Sequence, residues 1–280
     1  MKKGILLIAV VLLGIAGVAL AAETKPSTDT QLDTQANKLS VTFEVKYLSR
    51  YIWRGFDSYP NDHSAIQPSI DVDLFGTGLG VKVFHSRANR SGFEDNKEID
   101  TTLYYKNGLF DKEAYAIKYT VGWTYYNFPD NPRKGTPKGW GDMQEAFAGF
   151  AFPNICPLGI IPSYTAVLMW PAVSDSYGSD NGGWAHIFGL DYALTVPGYR
   201  PDTPEQVINL HAETVYNDGV GPAGESVDHD WSHALFGIST DFTIFKNLIF
   251  TPAVYYQSSW DDSVNPNDET WVSLSAKYKF

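Results

Sequence analysis

The sequence predicts an all-β protein, a transmembrane antiparallel up-and-down β-barrel of about 12 strands. Three observations carry this expectation. The chain opens on an export-type segment, it continues in short stretches with apolar residues at every second position, and its last stretch ends on an aromatic residue, Phe280.

At the N-terminus, Lys2 and Lys3 give a positive start, residues 4–20 are almost wholly apolar, and Ala19-Leu20-Ala21 is a small-residue cleavage site. Residues 1–21 therefore read as a signal peptide. An uncleaved helix is the alternative, but the cleavage motif and the polar stretch behind it favour removal. Residues 22–40 read as a flexible periplasmic leader, because Thr24 to Asn37 is polar and shows no apolar period, and residues 41–280 as the barrel. No later stretch approaches the ~18 apolar residues of a membrane helix.

The formal net charge of -11 argues against a nucleic-acid partner. Cys156 is the only cysteine, so no internal disulfide holds the chain together. Aromatics at 15% and abundant Gly suit strands with aromatic belts separated by turns.

Twelve alternating segments follow in order: 41–55, 65–74, 79–86, 98–105, 115–128, 143–152, 162–170, 184–194, 207–216, 231–242, 248–258 and 269–280. In the first, Val41, Phe43, Val45, Tyr47, Tyr51 and Trp53 share one face, and Glu44, Lys46, Arg50 and Arg54 the other. Alone, that pattern fits a soluble sandwich as well as a barrel. The links decide more: those after odd-numbered segments are long and rich in Gly, Pro, Asp and Asn, whereas those after even-numbered ones, apart from 195–206, are shorter. Long loops on one side and short turns on the other place both termini in the periplasm of a bacterial outer-membrane barrel. Trp and Tyr near the segment ends, among them Trp170, Trp184, Trp231 and Tyr256, fit headgroup belts. In the last segment Val272, Leu274, Ala276, Tyr278 and Phe280 form an apolar face, with Tyr278 and Phe280 as the terminal signal for the barrel assembly machinery.

Ser49-Arg50-Tyr51-Ile52-Trp53-Arg54-Gly55-Phe56, followed by Ala65-Ile66-Gln67-Pro68-Ser69-Ile70-Asp71, resembles the opening of the TorF-like family of bacterial porins. That family shows an aromatic-x-x-Arg-Gly turn, then Ala-x-Gln and an Asp on the next strand. The resemblance implies an outer-membrane barrel and leaves the solute unassigned.

If the apolar faces meet lipid, the interior is assigned to Glu44, Lys46, Arg50, Arg54, Gln67, Asp71, Asp73, Lys82, Glu98, Asp100, Lys118, Asp191, His211, Glu213, Asp241 and Lys277. Pairing between strands is expected to bring Arg50 and Arg54 close to Asp71, Asp73, Glu98 or Asp100. The expected function is that of a narrow porin for small polar solutes, in contact with outer-membrane lipid and lipopolysaccharide. The same charges read structurally are ion pairs that plug a closed barrel, whose loops would then serve structure or adhesion. A lipid hydrolase is the third class, but adjacent His85-Ser86 and Ser232-His233 point to opposite faces of a strand and form no nucleophile pair. No enzyme activity and no cofactor are expected. Acidic loops, with Asp57, Asp62, Glu94, Asp95, Asp130, Asp175, Asp180, Glu225, Asp228, Asp230, Asp261, Asp262 and Asp268, are read as solvated, since their spacing matches no metal loop.

Overall fold

The computed structural model describes residues 38–61, 63–130, 141–172, 182–198, 204–221 and 227–280. The expected signal, the leader up to residue 37, and Asp62, Asp175, Asp180 and Glu225 of the acidic loops lie outside the described residues.

The wall consists of β1 (Ser40–Leu48), β4 (Ala65–Asp73), β5 (Leu79–Ala88), β6 (Glu98–Leu109), β7 (Ile117–Asn127), β8 (Met143–Ala151), β9 (Ile161–Pro171), β10 (Gly183–Val196), β11 (Gln206–Asp218), β12 (His229–Thr240), β14 (Leu248–Ser259) and β15 (Glu269–Lys279). Each strand is antiparallel to its sequence neighbour in the wall, and the sheet closes where β1 pairs with β15. The register runs Thr42↔Lys279 to Leu48↔Ser273 at that seam, and Glu44↔Ser69 on the other side of β1. Closure leaves no unpaired edge, the condition for crossing a lipid bilayer with strands.

Alternation then decides what each face meets. Along β15, Glu269, Trp271, Ser273 and Ser275 are buried, while Thr270, Val272, Leu274 and Ala276 between them are exposed. Phe43, Ile70, Val83, Leu103, Val121, Phe188, Phe236 and Val254 carry the same exposed apolar face around the wall. The buried polar side chains face inward and the exposed apolar ones outward, the reverse of a soluble fold.

Two expectations need correction. The first segment was expected to run from Val41 to Gly55, but its wall strand ends at Leu48. Ser49 makes the last wall contacts, donating from its N–H to the Val272 carbonyl and accepting from the Val272 N–H, both at 2.9 Å. Beyond it the chain turns into the barrel as a small hairpin of β2 (Ile52–Trp53) and β3 (Phe56–Asp57). Arg54 and Gly55 take φ of 47° and 95°, the two positive values of a primed two-residue turn, so the aromatic alternation continues through a reversal rather than along a strand. The second correction is near residue 242. β12 stops at Thr240, and β13 (Phe242–Phe245) carries its direction on along β14, leaving only residues 246–247 as the turn.

Candidate functional site: the lumen and its inward hairpin

The hairpin packs inside the barrel at the end where β5 and β14 finish and β6, β8 and β15 begin. Its rings are withdrawn from water: Tyr51, Trp53, Phe56 and Tyr59 are all buried and join one apolar cluster with Tyr126, Met143, Met169, Val215 and Trp271 of the wall. Trp53 meets Tyr126 edge to face at 5.9 Å, and Tyr51 meets Tyr59 at 5.5 Å, separations at which aromatic pairs attract. A cleft of about 400 Å³, counting its open mouth, remains between Tyr51, Tyr59, Glu98, Tyr126 and Phe128.

Polar contacts fasten this hairpin around the circumference. Arg54 pairs with Glu145 of β8 at 2.8 Å, and its guanidinium lies 4.6 Å from the centre of the Trp53 ring. Arg50 pairs with Glu269 of β15. The Gly55 carbonyl accepts from Gln257 Nε2 at 3.0 Å and from Asn265 Nδ2 at 3.1 Å. Tyr51 donates to Glu98 of β6 at 3.1 Å. The Tyr59 hydroxyl lies 3.1 Å from Ser86 of β5, and that serine also takes an N–H from Gln67 of β4 at 3.2 Å. Buried hydrogen bonds and paired charges of this kind specify one seated position for the hairpin. Burial holds the Asp57 carboxyl above its ordinary range, although Arg50, the Tyr59 N–H and His63 act in the opposite sense.

Arg50 and Arg54 thus sit on the hairpin instead of the first wall strand, and their partners are Glu269 and Glu145 rather than Asp71, Asp73, Glu98 or Asp100. Glu98 and Asp100 are buried, with Glu98 beneath the hairpin, and Gln67 is buried against Ser86.

Toward the short turns the inner face changes character. Glu44, Lys46, Asp71, Asp73, Lys82, Lys118, Asp191, Glu213 and Lys277 are half-buried there. Glu44 stands opposite Lys277 in register and accepts the Ser275 hydroxyl. Asp71 accepts from Tyr104 at 2.6 Å, and Asp73 lies 3.4 Å from Lys106. Lys118 pairs with Asp111 of a short turn at 2.6 Å. His211 lies between Asp191, 3.0 Å from Nδ1, and Glu213, 3.4 Å from Nε2. Asp241 is exposed at the break after β12 and accepts from Thr251 at 2.6 Å. At the C-terminus the Tyr278 and Phe280 rings meet at 4.8 Å, both exposed on the outer face.

Ser232 and His233 do meet, contrary to the expectation from strand alternation. A register shift opposite Val215/Tyr216 brings the Ser232 hydroxyl within 2.9 Å of His233 Nδ1. The Val215 carbonyl, 3.1 Å away, competes with the imidazole for the one hydroxyl proton of the serine. Both residues are buried, and a Cβ added to Gly55 would lie 2.7 Å from His233 Nδ1, so the hairpin covers them. Ser86 faces inward to Tyr59, whereas His85 Nδ1 faces the Glu98 carbonyl at 2.7 Å. Among the described residues no three His, Cys, Asp or Glu side chains gather around a metal position.

Sequence reasoning missed Glu145, Glu269, Gln257, Asn265 and Tyr104, the wall and loop partners of the hairpin and of Asp71. The one signal present for the hairpin was the Arg54-Gly55 pair, read as a turn only through the family resemblance.

Comparison with known proteins places the fold. A family profile described as a bacterial protein of unknown function, Gcw_chp, matches residues 33–241. No curated protein matches the sequence. Among solved structures, the NanC porin superposes with a TM-score of 0.50 at 8% identity, covering 85% of this chain and 100% of that one. The KdgM porin in complex with disordered oligogalacturonate gives 0.46 at 10% identity over 86% of this chain and 99% of that one. An outer membrane channel from Pseudomonas putida F1 gives 0.46 at 11% identity over 92% and 100%.

Proposed function

The chain belongs to the Gcw_chp family of bacterial proteins of unknown function, and from the interior of its outer-membrane-type barrel we propose that it is a narrow porin for small hydrophilic solutes or ions. The observation that carries the reading is the division of the lumen: a seated aromatic hairpin at the long-loop end, and half-buried charged side chains between it and the short turns. Charges on the inside of a membrane barrel require water or an opposite charge, and half-buried Lys46, Lys82 and Lys277 lie where water from the short-turn end reaches them. The hairpin sets the narrowest point. Both termini are periplasmic in this reading, with the long loops facing outward toward lipopolysaccharide and the Tyr278–Phe280 end read by the barrel assembly machinery. The TorF-like resemblance belongs to the same reading.

Single-channel recording in planar bilayers tests it. Wild-type protein is expected to give small, steady openings, and replacement of residues 52–57 by a short Gly-Ser link to enlarge them. The second reading, a closed structural or adhesive barrel, is favoured by the two ion pairs that hold the hairpin, Arg54–Glu145 and Arg50–Glu269. Folded wild-type and hairpin-shortened proteins that both fail to conduct would establish it in place of the porin.

A further inference from the structure

The interior charges are unevenly distributed, and their placement points to a solute class; the inference rests on the channel reading above. Lys277 of β15, Lys46 of β1 and Lys82 of β5 project from one arc of the wall, with β4 between the last two. In register, Glu44 stands opposite Lys277, Lys46 opposite Gln67, and Lys82 opposite Asp71. All three lysines are half-buried, and among the described residues none has an ion-pair partner.

The carboxylates on the same arc are already engaged. Glu44 takes the Ser275 hydroxyl, Asp71 takes the Tyr104 hydroxyl, and Asp73 takes the Gly76 N–H at 2.9 Å and faces Lys106. Glu44 stands opposite Lys277 on one side and shares its strand face with Lys46, two residues on. With Asp73 paired to Lys106, the three ammonium groups face two carboxylates, Glu44 and Asp71, which leaves one surplus positive charge on this arc. On β10 and β11, away from this arc, Asp191 and Glu213 both lie against His211.

We propose that Lys46, Lys82 and Lys277 form an oxyanion site in the lumen, and that the solutes drawn through the channel are small carboxylate- or phosphate-bearing anions. Lysine ammonium groups donate three hydrogen bonds each and suit the oxygens of such ions. Between low-dielectric walls a local positive surplus raises the local concentration of anions even in a protein of net charge -11.

Reversal potentials under a KCl gradient test this. Wild-type and hairpin-shortened channels should favour chloride over potassium, and a triple Lys46→Gln, Lys82→Gln, Lys277→Gln variant should lose that preference. Citrate or phosphate added on the short-turn side should block wild-type current, each with an affinity that falls roughly twofold to fivefold per lysine removed. The single variant Lys82→Gln serves where the triple variant does not fold. Conducting channels that favour potassium, or a block that ignores the lysines, would overturn the oxyanion site while leaving the channel intact. Silence from both wild type and the shortened form would overturn the channel. The site is then decided by equilibrium dialysis of citrate and phosphate against folded barrels in detergent: uptake lost in the triple variant supports it, and no uptake rejects it.

Discussion

Arg54 at the tip of the inward hairpin and Glu145 of β8 meet at 2.8 Å, with side-chain exposures of only 16% and 5%. Removing one partner from such a pair leaves a charge withdrawn from water without compensation, at a cost of about 3 kcal/mol. The wall does not depend on the hairpin for its ladders, so the cost falls on the seating of the hairpin. Arg54→Ala is expected to leave heat stability of the barrel nearly unchanged but to enlarge single-channel conductance and open residues 52–57 to proteolysis. Restoration of small openings by the exchanged pair Arg54→Glu with Glu145→Arg would show that the contact acts as a latch.

Gly55 makes the same latch from the backbone side. Its φ of 95° lies where side chains are strained, and an added Cβ would come within 2.8 Å of Val264 Cγ1 as well as against His233. Gly55→Ala is therefore expected to cost about 1–2 kcal/mol from the dihedral alone, before the clashes. Gly80 offers a control, because an added Cβ there would meet the Tyr104 ring well away from the hairpin. Protease sensitivity of residues 52–57 should rise in Gly55→Ala and stay at the wild-type level in Gly80→Ala.

The wall was legible because its signal is repetitive: period two is plain along strands such as β15, where Val272, Leu274 and Tyr278 show the outer face even without neighbours. The hairpin was not. Tyr51 and Trp53 continue the alternation of Phe43, Val45 and Tyr47, and nothing in residue type separates a ring that faces lipid from one that packs inside. Only the left-handed pair Arg54-Gly55 marks the reversal, and it resembles the loop chemistry found at any strand end. The partners Glu145 and Glu269 are on the inner face of strands far away in sequence, so their pairing depended on the closure that the sequence pattern cannot supply. Ser232 and His233 were misjudged for a related reason: a register shift brings adjacent side chains together, and such a shift leaves no mark in polarity.

Asp57 links the hairpin to pH. Its carboxyl is held above the ordinary value of 3.8, first by burial, with Arg50, the Tyr59 N–H and His63 opposing. In the seated hairpin the group therefore binds its proton more tightly than in the released one. Seating is strengthened as pH falls through the raised value toward 3.8, and that gain is lost as pH rises through it. Conductance should accordingly fall as the solution is acidified toward the ordinary carboxylate value of 3.8. In Asp57→Asn the fall should disappear, with the residual pH dependence coming from the lumen charges alone; an unchanged acid closure would assign the effect elsewhere.

Phe280 is 73% exposed and touches Tyr278 on the outer face, while its N–H donates to the Val41 carbonyl at 2.9 Å beside the seam of the barrel. So exposed a ring contributes little to the finished fold, and Phe280→Ala is expected to change stability in detergent by less than about 0.5 kcal/mol. The backbone contact at the seam survives the substitution. If the ring is a recognition feature for assembly, the change should instead lower the amount of protein inserted in the outer membrane of cells, and Phe280→Trp should restore it. Refolding into micelles and membrane insertion in cells, measured on the same variants, separate the two roles. A parallel loss in both would mean that the ring stabilises the barrel, and no loss in cells would remove it as an assembly signal.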